Sequence, residues 1–158
     1  MRRCFWIRLI LFLRQSRWDF ALIGLWFALG TVAFHFLRLL LDLHNVLANG
    51  LNHGYDPLEF VRQIPPERIA AIHIAGGKFI SASDGTQRLL DDHFHDVRDP
   101  VFDLLEETAA RAPGPLTVIL ERDGEYPSMD SLLAQIAQAH RALAKGRKRR
   151  MQPVEAVA

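Results

Sequence analysis

The chain has 158 residues but only one cysteine, Cys4. A lone cysteine rules out a disulfide within the chain and a thiolate cluster for structural zinc or iron–sulfur. The motifs of two large hydrolase classes are also missing, since there is neither a Gly-x-Ser-x-Gly elbow nor a Walker-type glycine-rich loop. The sequence therefore lends no support to serine-hydrolase or nucleotide-hydrolase chemistry.

Charge of one sign is not in excess either, because the formal net charge is only +1. This balance indicates no particular partner. The basic run over residues 145–150 has no aromatic side chain interleaved, which is typical of a solvated helix end and not of a nucleic-acid site. We therefore predict no nucleic-acid partner, and a disordered basic tail over residues 147–158.

Residues 20–37 carry no fixed charge, and the composition changes abruptly after them. An apolar run of about 18 residues is just long enough to cross a bilayer, and the arginines that precede it would keep the N-terminus in the cytoplasm. We predict a long apolar helix over residues 18–37 and treat residues 1–37 as a separate segment. Three interpretations stay open: a membrane anchor, a buried helix, or a non-native start upstream of a genuine domain.

From residue 38 onward, short apolar runs alternate with amphipathic segments. The predicted strands cover residues 38–43, 69–74 and 116–121, and the predicted helices cover residues 56–64, 99–111 and 128–143. The connections at residues 45–54 and 78–95 are predicted to be turns and loops because they are rich in turn residues. Such alternation predicts an α/β fold with a parallel sheet. The chain is too short for a complete eight-stranded barrel, which takes about 250 residues.

Carboxylates and imidazoles stand where the predicted strands end. Asp42, His73 and Glu121 close the three strands, and the loop before the second long helix carries Asp91 and His93. Because the carboxyl ends of parallel strands meet at one edge, we expect these side chains to converge on a metal. Nitrogen and oxygen donors without sulfur suit iron(II), manganese or a catalytic zinc.

Each of these residues also has a simpler interpretation. A histidine at a strand end can be hydrogen-bonded in a core, and Asp42 or Asp91 can cap a helix or form a turn. The stretch from Glu121 to Asp123 can be a surface turn. Asn45 can offer an amide oxygen to the same ion or orient a ligand. Gly76 and Gly77 can form a small anion-binding nest or simply let the chain turn.

Five short stretches together resemble the domain-of-unknown-function-692 family of multinuclear non-haem iron-dependent oxidative enzymes, which includes methanobactin-biosynthesis and bufferin-maturation enzymes. The stretches are Leu39 to Val46, Asn52 to Pro57, Ile72 to Gly76, Leu90 to His95 and Leu120 to Asp123. The resemblance covers residues 38–146. It implies a (β/α) barrel with two or three iron ions at its carboxyl end. It also implies cytoplasmic O2-dependent oxidation of cysteines in ribosomally made precursor peptides, with a partner protein that presents the peptide.

Carried over position by position, the resemblance implies a set of site residues. The implied metal ligands are Asp42, His73, Asp91, His93 and Glu121. Asn45 matches a polar position beside the metals, and His95 is a further candidate there.

The chain departs from the family pattern before residue 38. The family places further histidine and glutamate ligands on earlier strands, whereas no glutamate precedes Glu59 here. We therefore expect the last three β/α units of a barrel, holding fewer irons than the family or none, with weak or no activity alone. Two alternatives remain: a membrane-anchored, non-enzymatic α/β interaction protein, and an oligomer that completes its sheet from several copies.

Overall fold

The computed structural model describes residues 38–152. Its strands are β1 (Leu39–Asp42), β2 (Ile69–Ile74), β3 (Lys78–Ser81), β4 (Gln87–Leu90) and β5 (Thr117–Leu120). Its helices are α1 (Leu43–His53), α2 (Pro57–Gln63), α3 (Asp99–Arg111) and α4 (Met129–Met151), with a 3₁₀ turn at Pro66–Arg68. Strands β1, β2 and β5 form a parallel sheet in the order β1-β2-β5, which confirms the predicted parallel α/β arrangement.

The two faces of this sheet differ in burial. The aligned residues Leu41 and Ile72, together with Ile74, are buried in the core on the helix side. Leu40 and Ile119 are 58% and 44% exposed. The register aligns Ile119 with His73, and Leu40 lies two residues before the partner of His73, so all three side chains share one face. The sheet is thus covered on one face and open on the face that carries His73.

Helix α1 occupies a segment predicted to be turns, and that prediction is wrong. The Asp42 side chain accepts a hydrogen bond from the Asn45 N–H at 2.8 Å and caps the helix, while Gly54 ends it in the left-handed conformation at φ 76°. Leu43 and Leu47 are buried beneath the helix. Burial of this apolar face outweighs the low helix propensity of the asparagines and the glycine in the segment.

Strands β3 and β4 form an antiparallel hairpin where a loop was predicted, so that prediction is also wrong. The hairpin turn contains Asp84, whose carboxylate accepts from the Thr86 N–H at 3.0 Å. On the free side of β4, the Asn52 side chain substitutes for a neighbouring strand. Its amide donates to the Leu89 C=O and accepts from the Leu89 N–H, both at 2.8 Å. This long-range pairing leaves no local signal in the sequence.

Helices α3 and α4 pack closely and carry an ion-pair network. A Cβ on Gly146 would lie 2.3 Å from the Glu106 carbonyl oxygen, so only glycine permits this approach. Glu107 accepts from Arg62 of α2 at 3.1 Å and from Arg149 of α4. Burial opposes ionisation, but these arginines outweigh it and lower the pKa of Glu107.

This network explains why α4 is longer than predicted. The helix continues to Met151, so the expected disorder over residues 147–151 is wrong. Arg149, near the helix C-terminus, pairs with Glu106 and Glu107 of α3 and also interacts favourably with the helix dipole. The predictions for residues 153–158 and for the apolar helix over residues 18–37, with its membrane interpretation, fall outside the described residues. Within residues 38–152, no helix is long and apolar enough to cross a membrane.

Candidate metal centre

The first group of donor atoms lies at the carboxyl edge of the parallel sheet. The register pairs Asp42 with His73, and the Glu121 N–H donates to the Ile74 C=O at 3.0 Å, which brings Glu121 beside them. The His73 Nδ1 atom is 2.7 Å from Glu121 Oε2. One donor atom from each of Asp42, His73 and Glu121 lies within 4.8 Å of the others. The structure therefore brings together the three residues expected at the strand ends.

Two residues of the loop after β4, Asp91 and His93, form a second group with Asp42 of β1. His93 has a left-handed backbone at φ 56°, which is costly for a residue other than glycine. Two backbone hydrogen bonds hold it there: its N–H donates to the Gly76 C=O at 3.0 Å, and its C=O accepts from the Asp123 N–H at 3.1 Å. This anchoring turns the His93 ring toward the ends of the strands.

Asp91 and His93 meet without forming a hydrogen bond. The Asp91 Oδ1 and His93 Nε2 atoms are 2.9 Å apart, but the angles do not suit a hydrogen bond, and both atoms are buried without another partner. Two buried metal-ligating atoms that converge in this way suit a shared cation, because neither makes a hydrogen bond to the other. The geometry of this pair therefore fits a metal ion.

A third group contains His93, Glu121 and Asp123. The His93 Nδ1 atom is 3.6 Å from Glu121 Oε2 and 3.3 Å from Asp123 Oδ2. Asp123 was not among the expected ligands. Its position two residues after Glu121 is the sequence signal that could have indicated it, because alternate residues of an extended chain point to the same side. The groups share Asp42, His93 and Glu121, so adjacent ions could be bridged by common side chains.

The electrostatics of the site are dominated by carboxylates. Burial acts against protonation of His93, but Asp91, Glu121, Asp42 and Asp123 together outweigh it and raise the pKa of the His93 ring. A positive charge is therefore favoured among these carboxylates. A divalent cation can supply that charge in place of the proton, since a metal ligand must be neutral imidazole.

Asn45 supports the carboxylates from the first turn of α1. Its backbone N–H donates to Asp42, and its side-chain Nδ2 lies 2.5 Å from Asp91 Oδ2 and donates to it. Asn45 therefore contacts two residues of the donor groups and fixes their orientation.

His95 points elsewhere. Its Nδ1 atom lies 2.9 Å from Asp92 Oδ1, and His95 belongs to none of the three donor groups found among the described residues. Burial raises the pKa of Asp92, but hydrogen bonds from His95 and from the Phe94 N–H outweigh it and lower that pKa. His95 and Asp92 thus form a separate pair beside the site.

Comparison with known proteins adds an identification. Residues 35–144 match the model of the family described as RiPP precursor modification enzyme MbnB/TglH/ChrH. A UPF0276 protein of Caulobacter vibrioides (strain NA1000 / CB15N) is 39% identical over 110 residues, which are 70% of this chain and 37% of that protein. A UPF0276 protein of Alcanivorax borkumensis is 46% identical over 99 residues, covering 63% of this chain and 31% of the relative.

A third relative, a UPF0276 protein of Shewanella oneidensis, is 41% identical over 103 residues, covering 65% of this chain and 35% of the relative. The chain thus spans about a third of the length of these relatives. The family match covers most of the chain and includes every residue of the three donor groups. We conclude that this chain belongs to the MbnB/TglH/ChrH family of enzymes that modify ribosomally made precursor peptides.

Proposed function

We propose that residues 38–146 form the carboxyl-terminal part of a (β/α) barrel that holds non-haem iron and uses O2 to oxidise cysteines of a ribosomally made precursor peptide. The observation that carries this proposal is the convergence of six side chains on one edge of the sheet in three overlapping groups. Family membership supports the precursor peptide as substrate class. Two or three ions, as the family resemblance implies, agree with side chains shared between groups.

The donor set fits iron(II). All six side chains offer nitrogen or oxygen, and the described part of the site contains no sulfur ligand. Such donors suit iron(II) and manganese better than copper(I) or structural zinc. Asp42, His73, Asp91, His93, Glu121 and Asp123 would hold the ions. When bound, iron supplies the electron transfer to O2 that oxidation of a thiol requires.

The residues of the chain itself prepare the site for the ion and for the peptide. Asn45 fixes Asp91, and the backbone bonds of His93 fix its ring, so little reorganisation is needed when a cation enters. The open face of the sheet, with Leu40 and Ile119, lies on the side of His73 and would form the interior wall of the barrel. Apolar side chains at this wall would exclude water around the reacting thiol.

The chain matches only part of the length of its relatives, so we expect residues 38–146 alone to form an incomplete metal site. Because the chain spans about a third of each relative, further ligands on earlier β/α units would complete the site. The chain by itself should hold fewer ions and oxidise peptide weakly or not at all. A partner protein would present the peptide, and the reaction would take place in the cytoplasm, where the precursor is synthesised.

Metal titration of the purified chain tests the core of this proposal. Under anaerobic conditions, iron(II) should bind with a micromolar or lower Kd. Asp91→Ala and His73→Ala should each weaken binding by about tenfold or more. His140→Ala, at an exposed position of α4, is the matched control and should change nothing. Absence of binding by the unmodified chain, or equal binding by Asp91→Ala, would contradict the proposed metal centre.

A chimaera tests the larger claim. Residues 38–146 would replace the matching stretch of the Caulobacter vibrioides relative, which restores the full length of the barrel. The purified chimaera should contain two or three irons per chain, measured by mass spectrometry of the metals. The same chimaera carrying Asp91→Ala should contain fewer. Equal metal content in the two chimaeras would show that Asp91 does not belong to the metal centre.

A further inference from the structure

His44 is a fully buried histidine whose ring nitrogens make no hydrogen bond of ordinary geometry. Its relative exposure is 0%, and the Leu90 carbonyl is the backbone acceptor beside its ring. Leaving a buried polar group unpaired costs about 1–3 kcal/mol, whereas a leucine of similar volume would carry no such cost. An imidazole at this position therefore adds little to the stability of the metal-free fold, and the groups around the ring indicate another role.

The ring of His44 is held between Gly77 and Asp91. A Cβ on Gly77 would lie 2.5 Å from His44 Nε2 and 1.9 Å from the Leu90 carbonyl oxygen, so glycine leaves the space that the ring fills. On the other side, His44 Nε2 is 3.7 Å from Asp91 Oδ1. Burial lowers the pKa of His44, while the Asp91 carboxylate and the Leu90 carbonyl oppose that effect. Both groups beside Nε2 are acceptors, which favours a neutral ring with its proton on Nε2.

His44 and Asn45 lie beside different oxygens of the Asp91 carboxylate. Asn45 donates to Asp91 Oδ2, and His44 Nε2 faces Asp91 Oδ1, which is buried and accepts no hydrogen bond. The distance from His44 Nε2 to Asp91 Oδ1 exceeds that of an ordinary N–H···O hydrogen bond by only about 0.7 Å. Since each carboxylate oxygen has two lone pairs, Oδ1 can accept from His44 and still bind a cation.

We propose that His44 is a positioning residue of the metal centre: when an ion is bound, its Nε2–H would donate to Asp91 Oδ1 and hold that carboxylate toward the ion. This inference rests on the proposed metal-binding function. It adds a residue that neither the strand-end pattern nor the donor groups contain. Consecutive residues of the first turn of α1 would then orient Asp91 through both of its oxygens.

Two substitutions at His44 and one control test the inference. His44→Leu removes the donor but keeps the volume, and His44→Gln places an amide nitrogen near the position of Nε2. His53→Leu changes an exposed histidine at the end of the same helix. Each chain is titrated anaerobically with iron(II). The visible spectrum of the cobalt(II)-loaded chain is recorded, and urea unfolding is measured without metal.

The expected pattern separates positioning from packing. His44→Leu should weaken iron(II) binding by about 10- to 100-fold and alter the cobalt(II) spectrum, while the metal-free chain becomes no less stable. His44→Gln should restore affinity and spectrum to near those of the unmodified chain. His53→Leu should match the unmodified chain in all three measurements. If His44 only filled space, His44→Leu would not weaken iron(II) binding while leaving the metal-free chain as stable as before.

Three results would overturn the inference. His44→Leu could bind iron(II) as tightly as the unmodified chain. Alternatively, stability and affinity could fall together without recovery in His44→Gln, which would make His44 a packing residue. If the unmodified chain bound neither iron(II) nor cobalt(II), the proposed function itself would fail. Normal binding by the unmodified chain with no effect at His44 would reject only the role of His44.

Discussion

Asp42 has two roles in the structure that substitution can separate. Its carboxylate caps α1 through the Asn45 N–H at 2.8 Å, and it belongs to two of the three donor groups. Asparagine caps helices about as well as aspartate, whereas alanine at a cap costs about 1 kcal/mol. Asp42→Asn should therefore leave the metal-free chain as stable as before, and loss of a negative charge beside Asp91 can even stabilise it.

The two Asp42 variants should differ in stability but not in metal affinity. Both Asp42→Asn and Asp42→Ala remove a carboxylate ligand, so each should weaken iron(II) binding by at least about tenfold, or about 1.4 kcal/mol. Only Asp42→Ala should also lower the free energy of unfolding of the metal-free chain, by about 1 kcal/mol. The assays are urea unfolding without metal and anaerobic calorimetric titration. Equal unfolding of the two variants would refute the cap, and iron(II) binding by Asp42→Asn at the original affinity would refute the ligand.

Three further predictions concern the fold that positions the site. Glu107→Gln should lower the free energy of unfolding by about 1–2 kcal/mol at pH 7, because it weakens the bonds to Arg62 and Arg149. The loss is no larger because both arginines are about half exposed to solvent. The folded-state pKa of Glu107 lies below its ordinary value of 4.5. The stability difference between the unmodified chain and Glu107→Gln should therefore be fully present above pH 4.5. It should vanish as the pH falls through the lower folded-state value, which urea unfolding across pH will check. Gly146→Ala should destabilise the chain by about 1–3 kcal/mol in thermal unfolding, because its Cβ would meet the Glu106 carbonyl; stabilisation would refute that contact. Asn52→Ala should speed hydrogen exchange of the Leu89 amide, and unchanged exchange would show that the hairpin does not need this pairing.

The alternation of apolar and amphipathic segments was enough to predict the parallel sheet. Strand β2 was predicted with its observed bounds, and the helix predicted over residues 56–64 starts at Asp56, whose side chain caps α2. The helix predicted over residues 128–143 likewise starts at Ser128, whose side chain caps α4. These signals are local, because an apolar run and a capping residue beside a helix are both visible in neighbouring residues.

Distant contacts decided what the local pattern mispredicted. Helix α1 forms where asparagines and a glycine indicate turns, because its apolar face is buried against the sheet. The β3–β4 hairpin depends on Asn52, which is 37 residues from its partner Leu89. The end of α4 depends on acids of α3. None of these partners is adjacent in sequence, so propensity alone could not identify them.

The candidate site shows the same division. The sequence by itself determined the kind of chemistry, because carboxylates and imidazoles at strand ends without sulfur define a nitrogen and oxygen donor set, and it also identified the family. Only the tertiary structure decided which donors meet. It added Asp123 and His44 and turned His95 toward Asp92. The physical reason is that donor type is a property of each residue, whereas convergence depends on strand register and on the left-handed backbone of His93.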